Sequence, residues 1–328
     1  MTTRRHFLAQ TAIAAGGFAL SASRAWSQQP AAGPEQNQGQ VAPPSTTGLV
    51  ASMRTAARTT PIHHTKLTDT LYMLQGVGGN MVVHLGPDGK LLVDSSIATA
   101  APLLTHELSK LDPQPLRLLV NTHWHFDHTD GNAAMHDAGA FIIAHENTRT
   151  RLSSAQHMDI LDTTFPAAPT SALPQQTFGD RENLYYDNEP IDLVHAPNAH
   201  TDSDIFVHFR NSNVIHAGDL FFNGQYPLID ANSGGSINGM IRGVDQILQV
   251  VDEKTKVVPG HGALGDQSSL SAYREMLTTV ANRIEKLKLS GQSLAQVVAQ
   301  HPTADLDATW AKGRMTPEMF VTVVYNTL

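Results

Sequence analysis

The chain of 328 residues is 41% hydrophobic and 16% charged, enough to bury a large core, which excludes disorder or a fibrous repeat as a description of the whole. Its 22 Lys and Arg against 30 Asp and Glu leave −8 at pH 7, a field that repels polyanions and argues against nucleic acid as a partner. With no cysteine and 17 histidines, disulfides, thiol nucleophiles and thiolate metal sites are excluded, and any transition metal falls to His, Asp or Glu.

At the N-terminus, Thr3-Arg4-Arg5-His6-Phe7-Leu8 precedes an apolar run of small residues from Ala9 to Ala22, and Ala25-Trp26-Ser27 presents small residues of the kind a signal peptidase reads. The expectation is a twin-arginine signal over 1–27, with the translocation machinery as a transient partner and the periplasm or another exported location as destination. Its removal takes Arg4, Arg5 and Arg24 and no acid, so export sharpens the acidity. Residues 28–60 are expected to be a flexible Gln/Pro-rich linker, because the segment up to about Gly48 has too few large apolar residues to offset the entropy of ordering.

From Pro61 the texture changes. Leu71–Leu74, Met81–Leu85 and Lys90–Asp94 are short apolar runs separated by Gly76-Val77-Gly78-Gly79 and Gly86-Pro87-Asp88-Gly89, which predicts hairpin-linked strands. A helix is predicted over Ala98–Leu111 and a buried strand over Leu116–Asn121. Further strands are predicted at Phe141–Ala144, Ile191–His195, Asp204–Phe209, Asn213–Ala217 and Lys256–Pro259. From Ser268 onward, Leu270, Tyr273, Met276, Leu277, Val280, Ile284 and Leu287 recur at helical steps, which predicts a helical C-terminal extension over 266–328 after the mixed strand and helix region that begins at Pro61.

The chemistry is concentrated after the strand Leu116–Asn121. His123-Trp124-His125-Phe126-Asp127-His128 places three imidazoles and a carboxylate in six residues at a strand end. Residues two apart in an extended segment point the same way, so His123 and His125 can address one ion, while Asp127 and His128 lie where the chain turns. One loop cannot close such a site alone, and three partners follow other apolar runs: His200, Asp219 in His216-Ala217-Gly218-Asp219, and His261 in Pro259-Gly260-His261-Gly262. These seven donors suffice for two metal ions sharing a bridging group.

The ordered set His-x-His-x-Asp-His, distant His, Gly-Asp and Gly-His-Gly resembles the metallo-β-lactamase superfamily over about residues 61–265. The resemblance implies a four-layer αββα sandwich with the metals at one edge of the two sheets. By the same resemblance His123, His125 and His200 match the ligands of the first metal, Asp127, His128 and His261 those of the second, and Asp219 the bridging carboxylate. In β-lactamases of this superfamily that last position is usually Cys or Ser, and an aspartate is typical of its thioesterases, lactonases, nucleases and phosphodiesterases. His125 stands where the flavodiiron branch has a glutamate, and the full second set separates the chain from the mononuclear persulfide dioxygenases.

Two cations sharing one water bring its pKa to about 7, which points to an exported hydrolase attacking a lactone, ester, thioester or β-lactam carbonyl with a metal-bridging hydroxide. Two zinc ions are the expected cofactors, with iron or manganese as alternatives. Asp127 is the expected catalytic residue, orienting the nucleophile and passing its proton to the leaving atom. β-Lactamase activity as the main function and a non-catalytic metal- or ligand-binding module are the alternatives. Many β-lactamases of the superfamily hold the substrate carboxylate with a lysine three residues past the second-site cysteine, and Phe222 stands at the matching position here. Phe222, Asn223 and Tyr226 are therefore the expected substrate contacts of a small molecule, with neutral esters and lactones preferred over carboxylate-bearing β-lactams.

The remaining histidines have plainer readings. His63 and His64 are expected in solvent, His84 and His208 within strands, and His136, His145 and His157 on helical stretches. His195 and His216 are read either as core residues or as groups that orient ligands, Asp202 and Asp204 as ligand partners or turn caps, and Gly76–Asn80 as a loop over the site or plain turn chemistry.

Overall fold

The computed structural model describes residues 48–328, so the expected signal over 1–27 lies outside the described residues. Helix α1 (Leu49–Ala56) starts within the stretch read as linker, and Val50, Met53 and Ala57 are buried with Ile97, Trp124 and Phe126. The linker reading of 28–60 therefore runs too far: Val50, Met53 and Ala57 stand at helical steps of three and four and give α1 an apolar face to bury.

Strands β1 (His63–Lys66), β2 (Leu71–Gln75), β3 (Met81–Gly86) and β4 (Gly89–Val93) form an antiparallel ladder. Helix α2 (Ala101–Leu111) then crosses over to β5 (Leu116–Val120), which lies parallel to β4. Next come α3 (Phe126–Thr129), α4 (Asn132–Asp137), β6 (Phe141–His145), α5 (Glu146–Leu152), the small hairpin of β7 (Gln156–Met158) and β8 (Thr163–Phe165), and β9 (Gln176–Phe178). The first sheet runs β1-β2-β3-β4-β5-β6-β9. All five residues of β4 are buried, the apolar Leu91, Leu92 and Val93 because both faces of the strand are covered, and Lys90 with its ammonium donating to the Asp112 carbonyl.

The second sheet contains β10 (Arg181–Tyr186), β11 (Glu189–His195), β12 (Ile205–Phe209) and β13 (Val214–His216), then, after helix α6 (Ile237–Leu248), β14 (Lys256–Val258), in that order. Only β13 and β14 are parallel, as a connection through a helix allows. Helices α7 (Gln267–Leu289), α8 (Leu294–Ala299), α9 (Asp307–Trp310) and α10 (Pro317–Thr327) complete the chain.

The sheets face each other through Met73, Leu91, Val120 and Ile143 on one side and Leu193, Val207, Val214 and Val258 on the other. Leu104 and Leu108 of α2 cover the outer face of the first sheet against Val83, Leu92 and Leu119. On the second sheet's outer face, Met240 and Val244 of α6, Leu277 and Ile284 of α7 and Phe320 and Val324 of α10 enclose Ile215 and Val257. The result is the expected αββα order of layers, with α7 and α10 sharing one core with α6. Two placements differ from the sequence reading: His145 is the last residue of β6, one position past the strand predicted over Phe141–Ala144, and His157 lies in β7, three residues too few to carry a period.

Phe320 is fully buried and its ring stacks on Tyr226 with centroids 4.5 Å apart. Phe320→Ala is expected to lower unfolding stability by about 3–5 kcal/mol, because the cavity left between α10 and the second sheet cannot collapse. Urea unfolding followed by circular dichroism measures it.

Candidate metal centre

Each candidate ligand follows the C-terminal end of a strand, so the sheets set the spacing between groups far apart in sequence. His123 comes after β5, His200 after β11, Asp219 after β13 in a 3-10 turn Gly218–Leu220, and His261 after β14. His125 is still extended, with φ −61 and ψ 148, and the single turn of α3 then swings Asp127 and His128 away from it. The side chains form two groups, His123, His125, His200 and Asp219 in one and Asp127, His128 and His261 in the other, each with its ligand atoms within 4.8 Å of one another. All seven residues proposed from the sequence are thereby brought together.

Asp219 stands between the two groups. Its Oδ2 lies 3.3 Å from His200 Nε2, 3.9 Å from His123 Nε2 and 3.5 Å from His261 Nε2, and its Oδ1 lies 3.1 Å from His128 Nε2. His200 Nε2 and His125 Nδ1 are 2.8 Å apart. Donors about 2.0–2.1 Å from a tetrahedral ion are separated by about 3.3 Å, so these distances fit edges of such polyhedra. Buried Nε2 atoms of His123 and His128 and Oδ1 of Asp219 lack hydrogen-bond partners, which suits donors reserved for a cation. The site can hold one or two metal ions.

In four of the five clustered imidazoles the second ring nitrogen is held by a partner that carried no motif in the sequence. His128 Nδ1–H donates to Asp94 Oδ2 at 2.7 Å. The same carboxylate accepts the Thr122 hydroxyl at 2.7 Å and the Thr122 N–H at 2.8 Å, and Thr122 Oγ1 in turn accepts His123 Nδ1–H at 3.1 Å. His125 Nε2–H donates to Asp230 Oδ2 at 3.1 Å, and His200 Nδ1–H to the Leu228 carbonyl at 2.7 Å. Such contacts fix the tautomer and leave the opposite nitrogen's lone pair free for an ion. Asp94 ended a strand and Asp230 followed Leu228-Ile229, so neither carried a motif.

Electrostatics separates the imidazoles. Burial and then the neighbouring His128 hold His123 well below its ordinary pKa, and burial takes His200 to about 4. Burial also opposes a proton on His128 and His261, yet Asp219, with Asp94 and Asp127 around His128, outweighs it and raises both. Burial disfavours the Asp219 anion, but His261, His128 and His200 hold the carboxyl well below its usual range. Against burial, the bond from His125 brings Asp230 to about 2. Acids this deep in the fold need positive charge, which fits a cation-binding centre.

Glycines allow the crowding. A Cβ at Gly79 would lie 2.1 Å from the His128 ring, and one at Gly260 would lie 1.9 Å from Asp219 Oδ1. The Gly76–Asn80 segment is thus a close approach tied to the metal loops, with Gly79 N–H donating to the Asp127 carbonyl and Asn80 N–H to that of Gly260. Gly260→Ala is expected to displace Asp219 and reduce bound metal while leaving circular dichroism unchanged; elemental analysis against wild type measures it.

Other open readings resolve into supporting roles. His216 Nε2 meets the Asn80 carbonyl and its Nδ1 accepts Gly218 N–H, so it holds the backbone beside Asp219 without touching a ligand. His195 Nε2 meets the Asp202 carbonyl and its ring stacks on His145 at 3.8 Å. Asp204 accepts the Thr201 N–H and hydroxyl, and Asp202 pairs with Arg151 at 2.7 Å, so both shape the turn after His200.

A cavity of about 200 Å³ opens over the centre. Phe222 lines it and stacks on His261, with centroids 5.2 Å apart. Of the other two expected substrate contacts, one lies away from the cavity and one presents no free hydroxyl to it. Asn223 is not among the lining residues, because its amide donates to the Ala263 carbonyl at 2.9 Å. Tyr226 lines the cavity with its ring, but its hydroxyl is engaged by Asp307 at 2.8 Å. Phe222 stands where a lysine would be three positions past Asp219, and Arg314, distant in sequence and exposed, borders the same cavity with Met315 and Met319. On the opposite side, Leu49 and Met53 of α1 and Met158, Ile160 and Leu161 complete an apolar wall.

Among curated proteins, the chain is 25% identical to a hydroxyacylglutathione hydrolase of Pelagibacter ubique over 148 residues, 44% of this chain and about half the relative's length, at 52%. It is 22% identical to the human acyl-coenzyme A thioesterase MBLAC2 over 227 residues, 60% of this chain and 80% of the relative. A metallo-β-lactamase from Pontibacter korlensis superposes with a TM-score of 0.55 at 20% identity, covering 66% of this chain and 99% of that one. The sec-alkylsulfatase Pisa1 from Pseudomonas sp. superposes with a TM-score of 0.64 at 17% identity, over 81% of this chain and 50% of that one. These structural likenesses show a shared fold. The family model described as metallo-beta-lactamase superfamily matches residues 74–282, from β2 through most of α7 and across all seven clustered donors, and the chain belongs to that superfamily.

Proposed function

We propose that this protein is an exported, dinuclear metal-dependent hydrolase that cleaves an ester, thioester or lactone carbonyl, with zinc as the preferred ion. The observation that carries the reading is the position of Asp219 between two imidazole groups at the base of an apolar cavity. Two relatives whose names describe thioester hydrolysis, the hydroxyacylglutathione hydrolase and the acyl-coenzyme A thioesterase, support an acyl substrate.

His123, His125 and His200 would hold one ion and Asp127, His128 and His261 the other, with Asp219 shared. When bound, such a pair of ions polarises the scissile carbonyl and lowers the pKa of a shared water to about 7. Asp127 orients the attacking water and takes up its proton. As the carbonyl carbon gains the water oxygen, the bond to the departing oxygen, sulfur or nitrogen breaks, and Asp127 delivers the proton there. The rings of Phe222 and Tyr226 limit water near the scissile bond, and the bonds to Asp94, Asp230 and Leu228 keep the imidazoles in place. The protein needs no nucleophile of its own.

Turnover of a panel of lactones, aryl esters, acyl thioesters and β-lactams by zinc-loaded protein tests the reading. Hydrolysis of esters or thioesters is the expected result. A preference for penicillins or carbapenems over every other substrate would make β-lactam cleavage the main activity, and metal binding without any turnover would support the non-catalytic module.

The export part of the proposal rests on Arg4 and Arg5 ahead of the apolar run. Replacing both by lysine is expected to leave the precursor in the cytoplasm, as fractionation and immunoblotting would show. Unchanged periplasmic protein would remove this part of the proposal.

A further inference from the structure

The only Lys or Arg side chain lining the cavity over the metal centre is that of Arg314, and it has no salt-bridge or hydrogen-bond partner among the described residues. Its position is built. The Tyr226 N–H donates to the Trp310 carbonyl at 2.7 Å, Gln225 and Ala311 form a β-bridge, and a Cβ at Gly313 would lie 2.2 Å from Gln225 Oε1. Met315, 5% exposed, anchors the far side. The segment carrying Arg314 is therefore pinned to the stretch leaving Phe222, which lies against His261.

The rest of the wall is apolar and adaptable. Met53, Met158, Met315 and Met319 line the cavity, four of the ten methionines in the chain. Unbranched thioethers follow the shape of a flexible alkyl chain better than branched or aromatic side chains do. A chain with net charge −8 repels anions in general, so the exposed, unpaired guanidinium of Arg314 at the border of this cavity is the one cationic side chain lining it that can meet an anionic group.

We infer that the substrate is an amphipathic anion: an ester or thioester with a flexible alkyl chain that lies along the methionine wall and ends in a carboxylate or similar group held by Arg314. Arg314 is a specificity-determining residue supplied by the C-terminal helical region. This deepens the hydrolase reading and rests on it for the scissile bond, while recognition by the cavity is measurable without turnover.

The test uses zinc-loaded full-length protein and matched probes. The neutral probe is 4-nitrophenyl hexanoate; the anionic probes are mono(4-nitrophenyl) esters of the dicarboxylic acids with six, eight and ten carbons. At least one half-ester is expected to show a lower KM than the hexanoate. Arg314→Met should raise that KM about tenfold or more, the usual weight of a hydrogen bond to a charged group, and shift the hexanoate KM far less. Arg314→Lys should recover part of the loss. Equal effects on neutral and anionic probes, or no effect on any chain length, would overturn the assignment.

Calorimetric binding of the dicarboxylates, compared with monocarboxylates of equal length, separates the two readings. If no ester is cleaved but Arg314→Met removes the advantage of a dicarboxylate, the hydrolase reading fails and the recognition site stands. If the variant leaves that advantage intact, or wild type shows none, the recognition site fails whatever the turnover.

Discussion

Asp219→Ala is expected to empty both metal sites, whereas His261→Ala empties one. The carboxylate reaches imidazoles of both groups, with Oδ2 3.3 Å from His200 Nε2 and Oδ1 3.1 Å from His128 Nε2. His261 Nε2 lies near Asp127, at 3.4 Å, and Asp219, at 3.5 Å. Loss of a partner that merely supports a ligand costs 10–100-fold in affinity, so loss of a shared ligand should exceed about 100-fold at each position. Metal content after dialysis against buffer of fixed free zinc is the measurement. Wild type should hold about two ions per chain, His261→Ala about one and Asp219→Ala close to none. Loss of the same single ion in both variants would show that Asp219 does not bridge. A wild-type chain saturating at one ion would remove the dinuclear reading itself.

The second large effect is kinetic. Asp127 lines the cavity and lies at the first turn of α3, where its carboxylate faces His261. Asp127→Asn preserves size and one coordinating oxygen but cannot accept a proton, so kcat is expected to fall about 10²–10⁴-fold, the usual contribution of a positioned acid or base, with KM little changed. Metal content measured on the same sample distinguishes a lost proton acceptor from a lost ligand. An unchanged kcat with a raised KM would assign Asp127 to substrate binding instead.

The ligand positions were legible because each follows a short apolar run, and a strand end at a sheet edge is where a rigid scaffold carries reacting groups. His123 and His125 come side by side, with ring centroids 4.8 Å apart, although the chain bends over Thr122–Trp124 and only His125 is extended before α3. The fully buried β4, the crossover helix α2 and the long α7 were readable for the same reason, each being an uninterrupted pattern. Strand β9 was not, with three residues whose place is set by pairing to β6 rather than by any period of their own. Helix α1 was lost because the polar composition before it was carried past Gly48.

The amino-acid sequence by itself determined the layered α/β architecture, the donor set and the absence of thiolate chemistry, because these depend on residue type and local periodicity. Only the tertiary structure decided which groups support the donors and what faces the substrate. Asp94 and Asp230 reach His128 and His125 across 34 and 105 positions of sequence, and no local pattern encodes such a pairing. Asn223 and Tyr226 are near Asp219 in sequence, but the Asn223 amide donates to the Ala263 carbonyl and the Tyr226 hydroxyl to Asp307. Arg314 borders the cavity because Trp310 and Ala311 are bonded to Tyr226 and Gln225. The physical reason is that a side chain's partners are set by where the backbone brings it, and in this fold the cavity is closed by segments that sequence places at opposite ends of the folded region, α1 and the turn before α10.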